Sequence, residues 1–152
     1  MKKRVLVVDV APDVAAGLKW AIQPHAAVTL ASSFADARTQ LAARSWDLVV
    51  TNLRLGAYNG LHLVYLAAAA QPKARAIVYA TQDDVALAGD VRALGAFFEL
   101  RERLVHTLSR YVHSVLPPRD RREAARPDRR KTFRGGRRAA DVRPAGADTQ
   151  RG

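Results

Sequence analysis

Three polar side chains stand where short apolar runs end. The run Leu48, Val49, Val50 stops at Thr51 and Asn52, Val5 to Val8 stops at Asp9, and Ala76 to Ala80 stops at Thr81. Short apolar runs bounded in this way read as strands buried on both faces. In an open α/β sheet, chemistry collects just beyond the carboxyl ends of the strands. The three positions would therefore bring a carboxylate, an amide and a hydroxyl to one sheet edge. A carboxylate there can hold a hard cation or act as a nucleophile, and a hydroxyl can bind an oxyanion. The amide oxygen of Asn52 is neutral and far less nucleophilic than a carboxylate, so no covalent intermediate is expected on it. Two of the three also have plainer readings: Asp9 as a loop acid capping the next helix, and Thr81 as an ordinary strand-end hydroxyl.

These residues need strands to hold them and helices to cover the strands. Arg4 to Asp9 reads as the first strand, and Pro12 suits the first turn of a helix whose stripe is Val14, Leu18, Ala21 and Ile22. Val28 to Ala31 is a short second strand. Ser33 with Asp36 three residues on resembles a capping box for a helix through Arg44, with Phe34, Ala37 and Leu41 inward. After the third strand, which ends at Asn52, a loop carries Gly56. Asn59 is the cap and Gly60 the start of a helix to about Ala70, stopped by Pro72. Ala76 to Thr81 is the fourth strand. Asp83 and Asp84 favour a helix start, Leu87, Val91 and Leu94 face inward, and Gly95 ends that helix, which Gly89 weakens by about 1 kcal/mol relative to Ala. Ala96 to Leu100 is the fifth strand. The last helix, about Glu102 to Leu116, has Leu104, Val105, Leu108, Tyr111, Val112 and Val115 inward and Arg103, His106, Arg110 and His113 outward. His106 and His113 lack a third ligand, so they read as a solvated face. Five βα units in succession predict an α/β fold: a doubly wound, five-stranded parallel sheet, flavodoxin-like, with strand order 2-1-3-4-5.

The stretch from Asp47 to Gly60 resembles the phosphoacceptor segment of response regulator receiver domains, the CheY-like superfamily. There an Asp ends the third strand, and a Gly lies eight residues later at the next helix start. The spacing from Asn52 to Gly60 fits, with Asn in place of Asp, and the likeness extends over residues 4 to about 116. Receivers carry two acids after the first strand, the acceptor Asp after the third, Ser or Thr after the fourth and Lys after the fifth. Here Asp9 matches the first acid, Val10 holds the second acid position, Asn52 the acceptor position and Thr81 the hydroxyl position. Ungapped counting from Gly95 and Ala96 puts Glu102 at the Lys position. A fifth strand one residue shorter puts Arg101 there, and that register, which we prefer, also sets Phe98 at the family's aromatic switch position. Phe97 and Phe98 read equally as core. The resemblance implies a degenerate pseudo-receiver: no acyl phosphate, no cofactor, and Mg²⁺ binding weak or absent with Asp9 the one candidate ligand. It implies a single-domain response regulator of two-component phosphorelay signalling that acts as a phosphorylation-independent interaction module. Its partner would be a signalling protein such as a histidine kinase or its regulator. In that family the fourth helix, fifth strand and fifth helix commonly meet partners, a surface that here includes Arg92, Arg103, His106 and Arg110.

Composition bounds the alternatives. At 152 residues with 49% hydrophobic content, the chain fits one domain, 1–116, and an Arg-rich tail, 117–152. The tail lacks apolar periodicity and is expected to be disordered. It holds 12 Lys and Arg against 5 Asp and Glu, so it carries +7 of the net +11. That charge supports a second reading, a nucleic-acid-associated protein that touches polyanions through its tail, with Phe133 available for stacking. The plainer view is a solubilising tail. No Cys is present, which excludes disulfides, thiolate metal sites and Cys nucleophiles. Asp9 interrupts the first apolar run too early for a signal peptide, and Leu61 to Ala70 is half the roughly 20 residues of a membrane span, so a cytoplasmic protein without a span is expected. The first βα turn, Asp9 to Asp13, has no Gly to admit a pyrophosphate, and no P-loop occurs, so no enzyme is expected.

Overall fold

A computed structural model describes residues 2–114 and 116. The elements run β1 (Lys3–Val8), α1 (Pro12–Ile22), β2 (Ala26–Ala31), α2 (Phe34–Ala43), β3 (Leu48–Asn52), β4 (Arg54–Leu55), β5 (Tyr58–Asn59), α3 (Gly60–Ala70), β6 (Arg75–Ala80), α4 (Val85–Ala93), β7 (Phe97–Leu100) and α5 (Arg101–His113). The main sheet has the order β2-β1-β3-β6-β7, parallel throughout. This is the flavodoxin-like order expected from five βα units. The tail at 117–152 and Val115 lie outside the described residues. Among the described residues no helix is long and apolar enough to cross a membrane.

Period-2 alternation splits the strands between two cores. Val5 and Val7 of β1, Val50 of β3, and Ile77 and Tyr79 of β6 pack with Leu18 and Ile22 of α1 and Leu104, Leu108 and Val112 of α5. On the opposite face, Leu6, Val8 and Val49 meet α2 and α3, while Val78 and Phe98 meet α3 and α4. Local chemistry sets the ends of these helices. Pro begins α1; Ser33 Oγ accepts from Asp36 N at 3.0 Å; Asn59 Oδ1 accepts from Leu61 N at 2.7 Å; and Asp84 Oδ1 accepts from Leu87 N at 3.1 Å. Gln71 Nε2 donates to the carbonyls of Leu41 and Arg44, both at 2.9 Å, and its Oε1 accepts from Trp46 N at 3.3 Å. One side chain at the end of α3 thereby satisfies the end of α2.

The structure corrects several expected boundaries. Helix α5 stops at His113 rather than Leu116: Ser114 turns extended, its hydroxyl donates to Arg110 O at 2.6 Å, and Lys3 Nζ donates to Ser114 O at 2.6 Å. Val105 does not face inward. It is 42% exposed, because the buried stripe Leu104, Leu108, Val112 leaves its neighbour about 100° round the helix. Strand β2 begins two residues before Val28, paired along β1 from Lys3, and each of β1 and β6 ends one residue before the polar residue assigned to it. The loop after Asn52 contains a small antiparallel hairpin, β4 with β5, turning at Gly56, whose φ of 64° suits glycine. Leu55 anchors this hairpin in the core, and the Tyr58 ring stacks on Phe34 with centroids 4.5 Å apart.

Candidate functional site

Strand register builds the site. Val8 of β1 lies beside Thr51 of β3, and Asn52 lies beside Tyr79 of β6, which in turn lies beside Glu99 of β7. Laterally paired residues of parallel strands project to the same face. Asp9, one residue past β1, therefore joins Asn52, Tyr79 and Glu99 in a polar row across the carboxyl edge, on the α1 and α5 side of the sheet.

At the centre of the row is Asp9, 1% exposed. Its Oδ2 accepts from the Asn52 side-chain amide at 3.0 Å and from the Tyr79 hydroxyl at 2.5 Å, and its Oδ1 accepts from Ala11 N at 2.8 Å. A carboxylate offers about four acceptor sites, so three donors nearly saturate it. They also answer the cost of burying its polar oxygens. The amide of Asn52 is held at both ends, because its Oδ1 accepts from Arg54 N at 3.0 Å. Tyr79 is fully buried. Burial, then the hydrogen bond to Asp9 and the charge of that carboxylate, hold its hydroxyl far above the ordinary phenol range, while the Arg101 guanidinium pulls the other way.

The backbone beneath Asn52 is tightly set. Gly60 N donates to Leu53 O at 2.7 Å, and a Cβ on Gly60 would press into the Asn52 carbonyl oxygen and lie 3.2 Å from Leu53 Cα. The buried Thr51 hydroxyl donates to the same Asn52 carbonyl at 3.0 Å. Glycine at 60 is thus a close-approach requirement at the start of α3.

The sequence-derived site residues fall into two groups. Asp9 and Asn52 meet directly. Asn52 also lines a cleft of about 110 Å³ with Arg54, Thr81, Asp83, Asp84 and Leu87; Thr81, one residue past β6, lies in that cleft and outside the polar row. Val10 is 46% exposed beside Asp9 and presents an isopropyl group there. Arg101 and Glu102 both open α5 and are exposed, and it is the charge of Arg101 that acts on Tyr79. Phe98 is buried among Val78, Ala88 and Val91, on the face away from Tyr79, while Phe97 lies on the α5 face and packs edge-on against Tyr111. Gly56 and Asn59 shape the hairpin and cap α3. Tyr79 is the site residue that the sequence does not single out: it reads as one more apolar letter of the fourth strand, and only its lateral pairing with Asn52 brings it into the polar row.

As a sequence, the chain matches no protein-family model and no curated protein. As a structure it is similar to receiver domains. One is a response regulator from Burkholderia pseudomallei, solved with a phosphorylated aspartic acid, a calcium ion and citrate, at TM-score 0.68 and 24% identity over 73% of this chain and 66% of that one. Another is a CheY-like response regulator receiver domain protein from Methanospirillum hungatei, at TM-score 0.66 and 15% identity over 74% and 95%. A third is the chemotaxis response regulator CheY4 of Vibrio cholerae, at TM-score 0.63 and 17% identity over 72% and 98%. The chain spans just under two thirds of the Burkholderia protein and nearly all of the other two. At these identities the likeness is one of fold.

Proposed function

We propose that this chain is a single-domain response regulator of two-component signalling that works by protein contact, without a phosphoryl group at residue 52. The observation that carries the reading is the closed hydrogen-bond network on Asp9. In the Burkholderia structure a phosphorylated aspartic acid is present. Here Asn52 offers no carboxylate, and its amide is turned to Asp9 as a donor. The residues also fit a divalent cation poorly: Asp9 accepts from Asn52, Tyr79 and Ala11, and Val10 adds no oxygen. Mg²⁺ binds through one or two carboxylates with near-ideal octahedral geometry, which would require those donors to leave. Arg101 stands for the missing Lys as a fixed positive charge, and Thr81 remains as the cleft hydroxyl.

With the chemistry removed, the surface remains. A signalling partner, a histidine kinase or its regulator among them, would meet α4, β7 and α5, where Arg103, His106 and Arg110 are exposed. The protein would be cytoplasmic, non-enzymatic and free of cofactor. The second reading, contact with nucleic acid, is favoured only by the +7 charge of residues 117–152.

Intact-mass spectrometry with acetyl phosphate and Mg²⁺ tests the pocket. The unaltered chain is expected to gain no phosphoryl group. Asn52→Asp should react slowly, since it restores the nucleophile while Val10 and Tyr79 remain. Adding Val10→Asp should raise the rate more than either change alone, by about 10² if the restored acid supports charge stabilisation of the usual size. Phosphorylation of the unaltered chain on a carboxylate would overturn the proposal.

A further inference from the structure

Two imidazoles far apart in sequence meet at the amino-terminal edge of the sheet, opposite the polar row. The rings of His25, just before β2, and His113, the last residue of α5, have centroids 4.7 Å apart with planes at 64°. Both residues are exposed. Neither sits on a loose segment: His25 N donates to Ile22 O at 2.8 Å, and the turn after His113 is closed by Ser114 N on Arg110 O at 3.0 Å. The helix pattern that paired His113 with His106 did not foresee this contact, because it joins two different βα units.

The spacing matches two ligands of one ion. Metal–imidazole bonds of about 2.0–2.1 Å put each ring centroid about 3.2 Å from a bound ion. Two centroids 4.7 Å apart then subtend roughly 95° at that ion. That is close to the cis angle of square-planar or octahedral Cu²⁺ and Ni²⁺ and short of the tetrahedral angle favoured by Zn²⁺. Exposed imidazoles turn about χ2 at little cost, so both nitrogens can be aimed at one point. Among the described residues no three His, Cys, Asp or Glu side chains converge as a ligand set, so water would complete the coordination. The carbonyl end of α5 favours a cation there. The Lys3 ammonium opposes one, and its hydrogen bond to Ser114 O holds it to the same helix end.

We propose that His25 and His113 form a two-histidine site for a borderline divalent transition-metal ion, Cu²⁺ or Ni²⁺ in preference to Zn²⁺, which staples the start of β2 to the end of α5. Two rings held together in the folded chain bind the ion more tightly than single imidazoles of the unfolded one, so the ion stabilises the native chain by the difference. The site is independent of the receiver reading, since it shares no residue with the Asp9 network.

Thermal melting of the full chain tests it. Ni²⁺ at about ten times its Kd should raise Tm by on the order of 5 °C, with Mg²⁺ giving no rise. His25→Asn and His113→Asn should each abolish the rise, and His62→Asn and His106→Asn should keep it. No rise in the native chain, or a rise that survives either pair variant, overturns the proposal. Should a pair variant fail to fold, electron paramagnetic resonance of the Cu²⁺-loaded native chain decides: coupling to two imidazole nitrogens supports the site, and coupling to one or none refutes it.

Discussion

Tyr79 closes the pocket on Asp9 from β6. It is fully buried, and its hydroxyl donates a hydrogen bond to Asp9 at 2.5 Å, a bond to a charged acceptor. Hydrogen bonds of this kind are worth about 1.5–3 kcal/mol, so Tyr79→Phe should lose that much at neutral pH in urea denaturation. The pH dependence has a definite sign. Burial and Asp9 raise the pKa of the hydroxyl in the folded chain, so its stabilisation is complete below the unfolded pKa of about 10 and is lost as pH rises beyond it. Above pH 10 the native chain should lose stability more steeply than Tyr79→Phe, by up to roughly 1.4 kcal/mol per pH unit. Parallel curves for the two proteins there would show that the hydroxyl is not held in this way.

At the scale of elements, two glycines make opposite predictions. Gly60 opens α3 against the carbonyl of Asn52, whereas Gly89 lies within α4 with nothing within 4 Å of a would-be Cβ. Gly60→Ala should cost about 1–3 kcal/mol through overpacking. Gly89→Ala should gain up to about 1 kcal/mol through helix propensity. Equal effects at both sites in chemical denaturation would contradict the close approach beneath Asn52. Local signals made most elements legible in the sequence. Pro12 begins α1 as expected, and Ser33, Asn59 and Asp84 cap the helices they precede. Signals that act across the sheet were not legible. The apolar pattern runs on through Val115 and Leu116, but α5 ends at His113, where Lys3 of β1 reaches Ser114. Asp9 and Asn52 could be placed at one edge by their positions at strand ends. Tyr79 needed the register of β3 on β6, and His25 needed the packing of α1 on α5, neither of which any short stretch encodes.

The whole molecule is charged unevenly: residues 117–152 hold +7 of the net +11. If those cations neutralise about 5 phosphates, the logarithm of affinity for heparin or RNA should fall with the logarithm of salt at a slope of about −4. A chain ending at Leu116 should bind far more weakly, and equal binding by the two chains would move the contact onto the domain. The polar row also bears on how the chain tolerates substitution. Asp9, Asn52 and Tyr79 satisfy one another, so Asn52→Asp alone removes a donor from a buried carboxylate and sets a second carboxylate beside it. Val10→Asp, taken alone, adds charge beside a carboxylate that already accepts from three donors. Each single change is therefore expected to cost stability. The network thus acts as a latch: with Tyr79 and Asn52 closed on Asp9, the carboxylate is held by its own neighbours, and a change at any one of the three must be answered at the other two.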